Sequence, residues 1–300
     1  MNNNLSVAVV VCTIVQRRQK LVRCVDSLLK NIVLPDEIFI LSGDRDDMAF
    51  SKQVTVITTA IVGLSAKQNV GVGLSKSDIV VFTDDDCIVS NTWIKTIKKT
   101  FLAYPNIDAL FGPVKPNIAT RPRGGKCPSI FYMDDNKFFY TPQGHQHIGS
   151  GNNMAIRRKT LLESGGFKTW LGSGTAAKSS GDAELIVRLL GTGRIMMHIN
   201  SGNVVWHDRW LTQAEYMIHE LDYLLGDTIC YVYFSFTHQF ALRRIRNRWK
   251  INFWRYAHIA KGILLRKRFK LKRGMIYALK ETYTLVAGTT LGLFWRLLSK

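Results

Sequence analysis

Residues Ile79-Val80-Val81-Phe82-Thr83-Asp84-Asp85-Asp86 decide how the rest of the chain is read. Five apolar or β-branched residues in a row form a buried strand, so three carboxylates are delivered to its C-terminal end. Like charges placed there repel one another unless a cation neutralises them. Asp84 and Asp86 lie two apart; in an extended segment both project to the same side and can share one hard divalent ion. A solvated acidic turn is the alternative that this segment alone leaves open.

The surrounding sequence alternates strand and helix patterns. Residues 7–12, 37–42, 54–57 and 109–111 read as strands. Leu21, Val25, Leu28 and Leu29 repeat at helical spacing ahead of Pro35, residues 66–74 read as a second helix, and Trp93, Ile94, Ile97, Phe101 and Leu102 make an amphipathic helix stopped by Pro105. This alternation predicts an α/β fold, a mostly parallel sheet flanked by helices. Ligands of such sheets bind beyond the C-terminal strand ends, where Thr13, Asp44 and the three aspartates fall. Residues 115–147 lose periodicity and gain Pro, Gly and basic residues, so a long surface connection is expected. Gly149-Ser150-Gly151-Asn152-Asn153 then leads into a short strand and a helix over 160–165. A Gly/Ser-rich loop over 172–181 has the composition of a lid or clamp. A helix over 182–190 and a strand over 204–206 ending at His207 follow, and from Thr212 onward only helices are expected.

With 300 residues, 46% hydrophobic and 21% charged, the chain is long enough for one catalytic domain, taken as residues 1–215, and a smaller helical extension over 216–300. The net charge is +19, and residues 241–300 carry 16 Lys/Arg against the single acidic Glu281, which is 16 − 1 = +15 of it. Such a tail suits an anionic membrane or nucleic acid, and composition does not choose between them. Residues 282–295 hold no charge but number only 14, short of the roughly 20 needed to cross a bilayer. Arg and Lys interleaved with Trp249, Phe253, Trp254, Tyr256, Ile263, Leu264 and Phe269 suit helices lying on a membrane surface, the alternative being a helical subdomain with a solvated basic face. Cys12, Cys24, Cys87, Cys127 and Cys230 form no CxxC pair, which argues against a disulfide framework or a zinc site and predicts a reducing compartment. Met1-Asn2-Asn3-Asn4 lacks the basic start of a signal peptide, so a cytoplasmic location is expected.

Taken in order, the motifs resemble the family-2 glycosyltransferases, inverting enzymes of the GT-A fold. Val9-Val10-Val11-Cys12-Thr13 is similar to the opening strand and nucleotide turn, and Gly63-Leu64-Ser65-Ala66-Lys67-Gln68-Asn69-Val70-Gly71 to the segment ahead of the metal motif. Asp84-Asp85-Asp86 resembles the DxD motif, Gly151-Asn152-Asn153-Met154-Ala155-Ile156-Arg157 the sugar-side strand, and Gly165-Gly166-Phe167 the following turn. Gly181-Asp182-Ala183-Glu184-Leu185 with Arg188-Leu189 resembles the catalytic-base helix, and His207 closes the set. Two positions depart from the pattern: Gln68, with Lys67 before it, stands where an Arg is frequent, and Gly181 replaces the Glu of a Glu-Asp pair.

The resemblance implies a nucleoside-diphosphate sugar as donor, UDP favoured, and a hydroxyl acceptor on a glycan or lipid-linked precursor. It implies Mn²⁺ or Mg²⁺ held by Asp86 and Asp84, with His207 as a further ligand that would favour Mn²⁺. It places Thr13, Asp44, Gln68, Asn69, Asp84 and Asp85 around the nucleotide, and Asn152, Asn153, Trp170 and Arg209 around sugar and acceptor. Each has a plainer reading: a strand-end histidine, turn residues, a core Trp, a surface Arg. Asp182 becomes the general base; a helix start favours its ionised form, although a simple N-cap accounts for the residue equally well. Glu184 lies about 200° further round the helix and is the second choice. A sugar-nucleotide pyrophosphorylase is the enzymatic rival, but Thr13-Ile14-Val15-Gln16-Arg17-Arg18 lacks the glycines of its first loop. A non-catalytic basic binding protein leaves the acidic strand ends unexplained. The expected partners are the nucleotide sugar, the acceptor and the cytoplasmic face of an anionic membrane, without nucleic acid.

Overall fold

A computed structural model describes residues 5–43, 50–143, 148–264 and 268–298. Four parallel strands make its centre: β1 (Val7–Thr13), β2 (Glu37–Ser42), β3 (Val54–Thr58) and β4 (Ile79–Asp84). They run in the order β3-β2-β1-β4, with Val9 level with Ile38 on one side and Val81 on the other. Successive side chains go to opposite faces; both faces of β1, β2 and β4 are covered, so their middles are apolar, whereas β3 at the edge exposes Thr55 and Thr58. Val7, Val9 and Val11 share a core with Leu21, Val25 and Leu28 of α1 (Arg18–Leu29) and with Trp93, Ile94, Ile97 and Phe101 of α3 (Trp93–Ala103). Ala8 and Val10 share the opposite core with Val72 of α2 (Leu64–Leu74), Leu161 of α4 (Arg158–Glu163) and Leu185, Ile186 and Leu189 of α5 (Gly181–Gly191).

Beyond β4 the strand directions mix. β9 (Met154–Arg157) lies antiparallel between β4 and β6 (Ala109–Phe111); β10 (Met196–His198) runs parallel to β6, and β8 (Lys137–Phe139) closes the edge. A separate three-stranded sheet joins β5 (Cys87–Val89), β11 (Val205–His207) and β7 (Val114–Pro116). The expected extended run through Asp86 does not occur. β4 ends at Asp84, Asp85 and Asp86 form a turn, and β5 begins at Cys87. That turn carries the chain from the large sheet to the small one.

Three helices follow: α6 (Gln213–Phe234), α7 (Gln239–Leu264) and α8 (Arg268–Leu298). Thr212 opens α6 with a reciprocal capping box to Glu215. α6 packs Cys230, Tyr231 and Phe234 on Ala183 and Val187 of α5, so the helical segment and the α/β layer share a core. It also braces the Gly/Ser-rich loop: Ser179 Oγ donates to the Asp222 carbonyl (3.2 Å) and Ser180 Oγ to Asp227 Oδ1 (2.9 Å). From α8, Trp295 stacks on Trp170, with centroids 4.9 Å apart and planes at 11°. A loop whose composition suggests a lid is therefore pinned from one side.

Within α5, Glu184 is fully buried and holds Arg188 one turn on through two contacts of 2.7 and 2.9 Å. Arg188 also donates to the carbonyls of Ser164 and Gly166, tying α5 to the turn after α4. Removing one partner of such a pair strands the other charge in the interior. Glu184→Ala is expected to destabilise the fold by about 3–5 kcal/mol, read as a lowered denaturation midpoint; an unchanged midpoint would contradict this reading.

Candidate active site

The turn after β4 gathers four potential ligand atoms. Carboxylate oxygens of Asp84 and Asp86, Cys87 Sγ and a ring nitrogen of His207 all lie within 4.8 Å of one another. His207 comes from β11, which pairs with β5 in register at Cys87, so the small sheet delivers it to this point. Its Nδ1 lies 2.8 Å from the Pro128 carbonyl and its Nε2 3.1 Å from Asp86 Oδ1; both oxygens accept, so without an ion the ring donates from both nitrogens. Asp86 Oδ2 is buried and accepts no hydrogen bond, with Arg17 standing 3.3 Å away as an ion pair. Two carboxylates, one of them with an unbonded buried oxygen, a thiol and an imidazole are a donor set that fits a divalent ion.

Asp85 points away from this group. It accepts from Thr13 Oγ1 at 2.8 Å and pairs with Arg17 at 2.9 Å, which ties the end of β1 to the acidic turn. The charges do not balance evenly. Burial, then the neighbouring Asp86 charge, pushes Asp84 up to about 7. Burial also acts against ionised Asp86, but the His207 hydrogen bond and charge, Arg17 and Arg209 hold it below the usual carboxylate range. His207 is drawn upward by Asp86 against the effect of its own burial.

Asp182 occupies the first turn of α5, one residue past Gly181, while Ser180 is the residue at the N-cap position. Its Oδ1 accepts from the Ala183 amide and its Oδ2 from the Gly151 amide, each at 2.9 Å. Gly151 is required there, because a Cβ would lie 2.8 Å from Asp182 Oδ2. Next along, Asn152 donates from Nδ2 to Cys87 Sγ (3.7 Å), and its buried Oδ1 has no partner. Adjacent residues thus touch Asp182 on one side and the metal-ligand group on the other. Tyr223 of α6 is 37% exposed, with its hydroxyl 2.8 Å from Ser129 Oγ. The Gly181 departure has a steric cause, since any side chain there would begin 2.4 Å from Ser65 Oγ.

Of the residues expected around a nucleotide, Thr13 ends β1 and Gln68 is half-buried on α2. The Asn69 amide is engaged twice with the Phe167 backbone, at 2.8 Å in each direction, and so fastens α2 to the turn after α4. Asp44 lies outside the described residues. Lys67 was not among the expected residues, yet it is buried and reaches the Thr13 carbonyl at 3.4 Å. Arg17 was likewise passed over. Both sit in segments quoted for other reasons, and only the placement of β1 against the acidic turn exposes their role.

Asn153 is 1% exposed and fully engaged: Oδ1 accepts from the Trp93 indole, and Nδ2 donates to the carbonyls of Pro113 and Asn203. Trp170 has one face on Trp295 and also contacts Tyr233. Arg209 is half-buried just past His207, and its charge acts on Asp86. Glu184, spent on Arg188, is not available as a base.

A model of the family described as Glycosyl transferase family 2 matches residues 8–165. Glucosyl-dolichyl phosphate glucuronosyltransferase of Haloferax volcanii is 28% identical over 184 residues, which is 55% of this chain and 56% of that protein. The chain thus spans little more than half the length of that relative. Among solved structures, GalNAc-T7 with UDP, GalNAc and Mn²⁺ superposes with a TM-score of 0.50 at 16% identity, over 69% of this chain and 44% of that one. Residues 1–349 of S. aureus TarS superpose with a TM-score of 0.53 at 13% identity, over 94% and 81%. The fold is of the GT-A type.

Asp86→Ala is expected to weaken Mn²⁺ binding by more than about 100-fold in calorimetric titration, whereas Asp85→Asn retains binding and lowers thermal stability. Undiminished affinity in Asp86→Ala would put the ion elsewhere.

Proposed function

Since the chain belongs to glycosyl transferase family 2, we propose that it transfers a sugar from a nucleoside-diphosphate donor to an acceptor hydroxyl, with inversion, using Asp182 as general base. One observation carries this reading: Gly151 and Asn152, side by side, join Asp182 to the Asp84–Asp86–Cys87–His207 group, so base and ligand group share one wall. A single displacement needs the acceptor oxygen and the leaving group on opposite sides of one sugar ring. A wall two residues long between the two groups suits that separation.

Asp182 accepts two amide hydrogen bonds at the start of a helix, and both favour its ionised form. Each oxygen keeps a lone pair for an acceptor hydroxyl. The acceptor oxygen forms its bond to the anomeric carbon as its proton passes to Asp182; the bond from that carbon to the diphosphate breaks, and its electron pair leaves on the diphosphate oxygen. A divalent ion held by Asp84, Asp86 and His207 would supply charge neutralisation to the diphosphate. Arg17 and Arg209 add fixed positive charge around the same group. The unpartnered Oδ1 of Asn152 is the acceptor offered to a sugar hydroxyl, Asn153 acting through the position of this segment. Thr13 and Lys67 form the nucleotide edge, with UDP as the favoured donor nucleotide. Trp170 serves the acceptor side through the loop it supports.

We also assign the C-terminal helices to an anionic membrane surface. No helix among the described residues is long and apolar enough to cross a membrane. Phe253 and Trp254 of α7 are 68% and 56% exposed, and Leu279 and Tyr283 of α8 are 57% and 76% exposed. Glu281, the single acidic residue of the tail, is buried and paired with Arg255 and Asn252, so it does not offset the basic surface. Aromatic and apolar side chains among unopposed cations suit a helix lying in the headgroup layer.

Asp182→Asn is expected to keep nucleotide affinity and lose about 10²–10⁴-fold in kcat; unchanged turnover would reassign the base. Phe253→Gln with Trp254→Gln is expected to weaken binding to anionic vesicles by about tenfold or more in a sedimentation assay, and unaltered binding would remove the membrane assignment.

A further inference from the structure

Arg17 closes the single helical turn Val15–Arg17 between β1 and α1. Its side chain is 33% exposed, whereas those of Asp85 and Asp86, which it meets, are 3% and 2% exposed. One nitrogen, Nη1, serves the two carboxylates unequally. It donates to Asp85 Oδ1 at 2.9 Å and stands 3.3 Å from Asp86 Oδ2, which accepts no hydrogen bond from any described group. Asp85 is itself held by Thr13 Oγ1, so this end of the guanidinium is anchored to the end of β1. The other two nitrogens, Nε and Nη2, make no hydrogen bond among the described residues.

Asp86 Oδ2 is therefore claimed by two cations. It is the unbonded oxygen of the ligand group, and Arg17 is the positive charge already beside it. Two positive charges at one buried oxygen repel strongly, because little water screens them there. An ion taking this oxygen forces the guanidinium off it. The contact that gives way is the longer one, which has no hydrogen bond; the shorter one to Asp85 can persist. Arg17 then keeps one carboxylate, two nitrogens able to donate and access to solvent, next to the place proposed for the donor diphosphate. A planar guanidinium fork meets two phosphate oxygens at once.

We propose that Arg17 couples the ion to the donor: it stands in for the ion on Asp86, opposes an ion that binds alone, and favours one that binds together with a diphosphate. The proposal rests on the glycosyltransferase reading and adds that ion and donor enter as a pair. Such coupling is reciprocal, each ligand raising the affinity of the other by the same factor. Part of it comes from contact between ion and diphosphate, and the share of Arg17 is what its replacement removes. A residue that only held the fold would behave differently, since its loss would weaken ion and donor alike.

The test uses the full chain and three calorimetric titrations: Mn²⁺ alone, UDP without Mn²⁺, and UDP at saturating Mn²⁺. In Arg17→Gln, Mn²⁺ alone is expected to bind about tenfold more tightly than in the wild type. UDP at saturating Mn²⁺ is expected to bind about tenfold more weakly, and UDP without Mn²⁺ to change by less than about threefold. Arg209→Gln controls for net charge, because Arg209 acts on Asp86 without an ion pair to it among the described residues. That variant is expected to shift Mn²⁺ affinity by no more than about threefold. Three results would overturn the proposal: Mn²⁺ binding that is unchanged or weaker in Arg17→Gln, an equal gain in Arg209→Gln, or an undiminished effect of Mn²⁺ on UDP. Inorganic pyrophosphate in place of UDP separates this proposal from the reading beneath it. If Mn²⁺ tightens pyrophosphate in an Arg17-dependent way while UDP binds no better than pyrophosphate, the nucleotide-sugar reading fails and the coupling stands.

Discussion

Carboxylates crowded at the end of a buried strand need positive charge close by, and the site is arranged around how unevenly that need is met. Asp85 is satisfied by Thr13 and Arg17. Asp86 has His207, Arg17 and Arg209, which keep it ionised despite burial. Asp84 is pushed up to about 7 by burial and by the charges of Asp86 and Asp85, against the pull of His207 and Arg17. The same cations thus serve Asp86 better than Asp84, beside an orphaned oxygen of Asp86. A divalent ion held at this turn would neutralise the remaining negative charge. The pairing of β11 with β5 brings His207 to the turn.

Close backbone approaches then set where the second chemical group lies. The Gly151 amide meets Asp182 at a distance that no Cβ would tolerate, and Gly181 passes Ser65 in the same way. α5 is therefore drawn against the sugar-side segment with its first carboxylate facing the cleft and its second, Glu184, turned into the core on Arg188. The C-terminal helices take part in this placement. They hold the loop that leads into α5 through Ser179, Ser180 and Trp170. The basic and aromatic helical segment is in this way mechanically continuous with the loop ahead of Asp182.

The central strands and their helices were legible in the sequence because burial on both faces leaves an unbroken apolar run. The acidic segment and the α5 helix were legible from their carboxylates, but the turn at Asp85 and Asp86 was not, because an extended run through Asp86 fits the same residues. Of the second sheet only β11 was legible, as the strand over 204–206: β5 and β7 are three residues each, too short to show a period, and the sheet pairs residues about 90 to 120 positions apart. Amide side chains misled for a related reason. Asn69 and Asn153 look like ligand contacts, yet both satisfy loop backbone or indole groups in the interior, work for which an amide is equally suited. Glu184 beside Asp182 could have been set aside earlier, since Arg188 stands four residues on, where a helical ion pair forms. Arg17 and Lys67 carry no local pattern, and only tertiary placement brings them to the site.

The claim on which the rest depends is that one cleft holds both the ion and the base. A crystal structure grown with Mn²⁺ and UDP tests it most directly, with the ion located by its anomalous signal. The account predicts the ion between Asp84, Asp86 and His207, the diphosphate upon it, and the Asp182 carboxylate facing the free side of that diphosphate across Gly151 and Asn152. An ion bound away from Asp86, or an Asp182 carboxylate opening onto a surface that the nucleotide does not share, would contradict it.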